Sequence, residues 1–73
     1  MPSRRSYEVV YDRFHKRWVL KPQGLPGAIQ VAKTKDDIIE RADPVCSNHV
    51  CTLRIHREDG QVEEERTYRG NPP

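Results

Sequence analysis

The chain has 73 residues, of which 34% are hydrophobic and 33% charged, with a mean hydropathy of −0.94 and a net charge of +2. A chain this short buries only about 60% of its unfolded surface, which predicts one thin core and excludes a division into two domains. The absence of an apolar run of membrane length and of a signal-peptide pattern predicts a cytoplasmic protein with no membrane role, and its two cysteines are expected to be reduced thiols.

Tyr7, Val9 and Tyr11 alternate with polar or outward residues, and so do Trp18 and Leu20; this is the period-two pattern of half-buried strands. Polar Asp12 to Lys16 between them predicts a hairpin loop. The stretch Lys21-Pro22-Gln23-Gly24-Leu25-Pro26-Gly27 stops regular structure, because proline removes amide donors and glycine admits positive φ. Ile29 and Val31 suit a short third strand, which completes a three-stranded antiparallel meander.

Thr34-Lys35-Asp36-Asp37 predicts a helix start: the threonine hydroxyl can accept from the amide three residues on, and the two acids face the positive end of the helix dipole. Ile38, Ile39, Ala42, Val45, Cys46 and His49 then form one apolar stripe. Pro44 interrupts it and predicts a kink or break near Asp43. Asp59-Gly60, between Cys51–Arg57 and Gln61–Tyr68, predicts a hairpin with a type I′ turn. That turn pairs Arg57 with Val62, His56 with Glu63, Ile55 with Glu64, Arg54 with Glu65, Leu53 with Arg66 and Cys51 with Tyr68. Cys51, Leu53, Ile55, Val62 and Tyr68 then face inward, and His56 and Arg54 oppose Glu63 and Glu65 on the solvent side. The predicted fold is α+β: an antiparallel sheet in the order β-β-(β)-α-β-β, with one kinked helix, in a single domain over residues 1–73 whose ends fray at about 1–5 and 69–73.

Tyr7-Glu8-Val9-Val10, Trp18-Val19-x-Lys21, Thr34-Lys35-Asp36-Asp37, His56-Arg57-Glu58-Asp59-Gly60-Gln61-Val62 and Arg66-Thr67-Tyr68 together resemble the small bacterial proteins grouped as domain of unknown function 2188. The likeness spans nearly the whole chain and departs from the family pattern at Pro44 and in the Pro-rich loop after Lys21. It implies a compact sheet-plus-helix domain and carries over no catalytic or binding residue. The order of elements is also similar to the arm-binding domains of phage integrases and to plant AP2-type domains, which lay their sheet in the DNA major groove. That similarity concerns fold, which does not by itself fix function.

Cys46-x-x-His49-x-Cys51 supplies three zinc ligands where a structural site takes four, so the cysteines are expected to be buried thiols and no metal or cofactor is expected. Ser6 and Ser47 lack the context of a nucleophile, the acids lie on solvated faces, and no pocket for a small-molecule substrate is expected; the sequence therefore predicts a non-enzymatic domain. Charge is the most informative feature left. Residues 1–35 hold eight Lys or Arg against two acids, net +6, whereas residues 36–73 hold five against nine, net −4. At the first hairpin tip, Arg13-Phe14-His15-Lys16-Arg17 interleaves cations with aromatic rings, and Arg4, Arg5, Lys21, Lys33 and Lys35 are candidates to lie near it. Cations at that spacing release counterions from phosphates, and a ring can stack on an unpaired base. The expected nucleic-acid-binding set is Arg13, Phe14, His15, Lys16, Arg17, Lys21 and Lys33, with a charged tip kept merely for solubility as the plain reading. The leading function is an auxiliary bacterial or phage module that touches nucleic acid there. The alternative is a protein-interaction module, including a homodimer, whose basic half meets an acidic protein surface.

Overall fold

The computed structural model describes residues 5–47 and 50–69. In chain order it contains β1 (Arg5–Asp12), β2 (Arg17–Pro22), β3 (Gln30–Ala32), α1 (Lys35–Cys46), β4 (Val50–His56) and β5 (Val62–Arg69). Arg5 and Arg69, expected to fray, belong to strands; Arg4, His49 and the remaining ends lie outside the described residues.

The α+β class and the element order are as the sequence predicts, but the sheet is mixed. Its order is β3-β2-β1-β4-β5, and β1 pairs with β4 in parallel while the other neighbours are antiparallel. Alternation assigns faces and turn residues assign hairpins; neither reports which strand receives the chain after a helix. Here α1 carries the chain from the end of β3 back to the end where β1 starts, so β4 enters beside β1 in the same direction, the outcome that a helical crossover permits.

The parallel register sets Arg5 beside Cys51, Tyr7 beside Leu53 and Val9 beside Ile55, while the β1–β2 register sets Val9 against Leu20 and Tyr11 against Trp18. Every inward residue of three strands therefore reaches the same face. Helix α1 covers that face with Ile38, Ala42 and Cys46, spaced four apart and all fully buried. Burying each Leu or Ile side chain contributes about 1.5–3 kcal/mol, so Leu20, Ile38, Leu53 and Ile55 dominate this core. Trp18 is buried as expected, with its ring 5.2 Å from that of Tyr11 at 59°.

Thr34 caps α1 as its sequence predicts: its Oγ1 accepts from the Asp37 amide at 3.2 Å, with Asp36 and Asp37 in the first turn. The chain stays helical across Asp43-Pro44 and does not break there. Pro44 has no amide to donate to the Glu40 carbonyl, and because both residues are exposed, water can take that acceptor. Three residues later the Ser47 amide donates to the Asp43 carbonyl at 2.8 Å and closes the helix.

The second hairpin corrects the predicted turn. Gly60 alone has positive φ (+93°), its amide donates to the Arg57 carbonyl at 3.0 Å, and the Arg57 amide donates to Gln61 at 2.8 Å. This is a three-residue loop, a type I turn followed by a left-handed glycine, instead of the two-residue type I′ turn. The predicted register holds from Cys51↔Tyr68 to Ile55↔Glu64, then shifts so that His56 pairs with Val62. Two expectations fall with that shift: Val62 turns outward at 52% exposure, and Glu63 leaves the ladder. His56 Nδ1 instead lies 3.0 Å from the Val9 carbonyl oxygen.

Strand β5 extends past the cover of α1, and Tyr68 ties it back by donating its hydroxyl to Asp43 Oδ1 at 2.7 Å. Burial, reinforced by that bond, pushes the phenol from 10.0 up to about 12. The folded state thus holds this proton more tightly than the unfolded chain, so the contribution to stability is complete below pH 10 and is lost as pH rises toward 12. Tyr68→Phe should accordingly unfold in urea at a lower midpoint than wild type at pH 8 and show less loss of stability between pH 10 and 12. Equal slopes in the two proteins across that window would contradict the assignment.

Candidate nucleic-acid interface

Four residues, Arg13 to Lys16, connect β1 to β2, and Asp12 organises them. Its Oδ1 accepts from the Phe14 and His15 amides at 3.1 and 3.2 Å, and its Oδ2 lies 2.7 Å from His15 Nδ1 and 3.8 Å from Arg17 Nε. A carboxylate closing on amides two and three residues ahead mimics a backbone turn. Lys16 then takes the left-handed conformation (φ +53°) that lets the chain re-enter β2. The hydrogen bond from His15 holds the Asp12 carboxyl below its ordinary 3.8, against the opposing effect of desolvation. With the one acid at the tip turned inward, Arg13, Phe14 and Lys16 are left facing solvent. Phe14 is 89% exposed, and its ring meets that of His15 edge-on at 5.0 Å.

Arg17 and Lys33 lie below the tip, along a shallow groove of about 460 Å³ between β3 and α1 that Val31, Ala32, Asp37 and Arg41 complete. Arg17 Nε is sequestered from solvent without a hydrogen-bond partner, the Asp12 oxygen at 3.8 Å being too distant to serve. Six of the seven predicted residues therefore gather at one end of the molecule: Arg13, Phe14, His15 and Lys16 on the tip, Arg17 and Lys33 beside it. Lys21 does not join them. It lies at the other end of β2 on the uncovered sheet face, with Nζ 3.3 Å from Glu8 Oε1. Arg5 opens β1 at that same far end. Lys35, another expected neighbour, is diverted to an ion pair with Glu63 and stands over the Trp18 ring at 5.8 Å from its centroid.

Arg41 is the member that the sequence reading missed. It follows Asp37 by four residues, on a different side of α1 from the Ile38-Ala42-Cys46 stripe, and that helical spacing was the available signal. What it could not show was that β3 would bring Lys33 and Arg17 against that side.

Three acids of the second half, Glu63, Glu64 and Glu65 on β5, form ion pairs, while Asp37 lines the groove on α1. Arg54 Nε meets Glu65 at 3.0 Å, Arg66 Nε meets Glu64 at 2.6 Å, and Glu63, freed from the ladder, takes Lys35 and Arg57. Among the described residues, none of the seven predicted side chains forms an ion pair with an acid beyond Thr34. The sheet face opposite α1 differs in character. Lys21, Glu8, Arg54 and Glu65 are consecutive neighbours across four strands and alternate in sign, so that face presents no continuous positive surface to a DNA groove.

Cys46 and Cys51 are free, fully buried members of the core, as their positions in the stripe and strand predict. Among the described residues no three His, Cys, Asp or Glu are grouped to hold a metal ion, and no helix is long and apolar enough to cross a membrane.

In His15→Ala the Asp12 carboxyl loses the bond that lowers it most, so its midpoint, followed by carbon NMR, should move up toward the ordinary aspartate value. An unchanged midpoint would mean that the turn amides alone depress it.

No curated protein and no solved structure gives a significant match to this chain. A family model does, over residues 7–68, from the third residue of β1 to Tyr68 near the end of β5. The chain belongs to the family described as "Uncharacterized protein conserved in bacteria (DUF2188)".

Proposed function

We propose that this domain binds nucleic acid without catalysing a reaction, and that it does so through the end of the sheet formed by the first hairpin and the adjoining groove. The observation that supports this reading is the gathering, among the described residues, of Arg13, Lys16, Arg17, Lys33 and Arg41 beside three acids, Asp12, Asp37 and Glu40. Both oxygens of Asp12 already have partners in the turn, which weakens its claim on the surrounding cations. A phosphate chain could run from the tip into the groove, neutralising these charges as it releases its own counterions. Phe14, exposed beside Arg13 and Lys16, adds a ring on which a base can stack.

The test is a gel-shift or anisotropy titration with random-sequence oligonucleotides at two salt concentrations. Affinity should fall roughly 10²- to 10³-fold between 50 and 200 mM salt if five cations contact phosphates. The triple variant Arg13→Ala, Lys16→Ala, Lys33→Ala should weaken binding and flatten that dependence, while Lys21→Ala should leave it nearly unchanged. Absence of any shift at low salt removes the proposal.

The uncovered sheet face favours a second reading, a homodimer. Its row of Lys21, Glu8, Arg54 and Glu65 is complementary to itself under a two-fold axis along the strands, which sets Lys21 against Glu65 and Glu8 against Arg54 of a second copy. Light scattering of a strict monomer at high concentration dismisses it.

A further inference from the structure

The sharpest unassigned chemistry lies in the core. Cys46 is the last residue of α1 and Cys51 the second of β4, and their Sγ atoms are 2.8 Å apart, each with no exposed surface. Two sulfurs at this separation are inside ordinary non-bonded contact, and little movement is needed to bring them to bonding distance. From this juxtaposition we propose that Cys46 and Cys51 are a disulfide-forming pair, a covalent modification site that staples the end of the helix to the start of the neighbouring strand.

The step is a two-electron oxidation. Both S–H bonds are lost, one S–S bond forms, and two protons and two electrons pass to an oxidant of the peroxide or small-disulfide class; hydrogen peroxide leaves as two waters, a small disulfide as two thiols. The surroundings favour a stapling bond over a catalytic one. Among the described residues no cation lies against either sulfur to stabilise a thiolate, and burial, joined by the Cys51 bond and the Asp43 carboxylate, pushes the Cys46 thiol up to about 12. The closed native state therefore reacts slowly, and the bond forms as the chain folds or when the end of α1 opens. Once formed, it is shielded from reductants by the same burial. The location matters for a core this thin: the bond closes a ring of only six residues, and it fixes the end of α1 against β4 inside the buried cluster.

The test uses the wild-type chain, treated with hydrogen peroxide and, separately, refolded in a glutathione-disulfide buffer. Mass spectrometry of the refolded chain should show the loss of two hydrogen atoms and no thiol open to alkylation after unfolding. Its melting temperature should exceed that of the reduced chain by roughly 5–15 °C, a gain that dithiothreitol removes. Cys46→Ala and Cys51→Ala should show no such difference between oxidised and reduced samples; if either fails to fold, the wild-type masses decide alone. Two alkylatable thiols after oxidative refolding overturn the proposal. So does addition of oxygen to a single cysteine, or a disulfide between two chains.

Discussion

The parallel pairing of β1 with β4 is the constraint on which the rest of the molecule depends. It joins two local units, a meander and a hairpin, into one sheet with β1 at its centre. Because side chains alternate strictly along a strand, this single register aligns Tyr7, Val9, Cys51, Leu53 and Ile55 on the face that α1 covers. A slip of one residue would turn β4's apolar residues to water and leave the helix stripe facing Thr52 and Arg54. The same pairing sets both hairpin tips at one end of the sheet, so the cationic tip of the first and the acidic tip of the second, Glu58 and Asp59, share that end.

Folding separates the charges only in part: Glu64 and Glu65 pair within the second hairpin, whereas Glu63 takes Lys35 from the first half and Asp37 lines the groove beside Lys33. Cross-strand neighbours and residues two apart on one strand lie close enough for direct pairing, which gives Arg54 with Glu65 and Arg66 with Glu64. The bulge frees Glu63 for Lys35 and Arg57, so the second hairpin draws one cation away from the first half and leaves Arg13, Lys16 and Lys33 untouched. Asp12 and Glu8 act within the first hairpin in the same way, one closing the turn and the other holding Lys21. Exposed pairs of this kind contribute little to stability, about 0–1 kcal/mol each, but they determine which charges remain available to a partner.

The features that were legible in the sequence are those fixed by short-range chemistry. Thr34 and the acids after it marked the helix start, alternation placed Trp18, Leu20, Leu53 and Ile55 inward, and four of the six predicted pairs across β4 and β5 hold. The errors arose where distant geometry or a small energy difference decides. Asp59-Gly60 is compatible with two turn types; the longer loop shifted two pairs and sent Val62 and Glu63 to new places. Pro44 signalled a kink or a break, yet the helix runs on through it, because the carbonyl it leaves unpaired faces solvent. The parallel neighbour of β1 had no local signature at all. At the candidate site, the tip was readable because its residues are contiguous, whereas Lys21 was misplaced and Arg41 missed because membership depends on how β2, β3 and α1 meet.

The central claim is that the cations at the first hairpin end form the contact surface for a polyanion, and amide chemical-shift mapping tests it most directly. Titration of a short oligonucleotide into labelled protein at low salt should shift the amides of residues 13–17, 33 and 41, while Glu8, Lys21, Arg54 and Glu65 stay in place. Shifts concentrated on that alternating row, or none anywhere, would contradict the account.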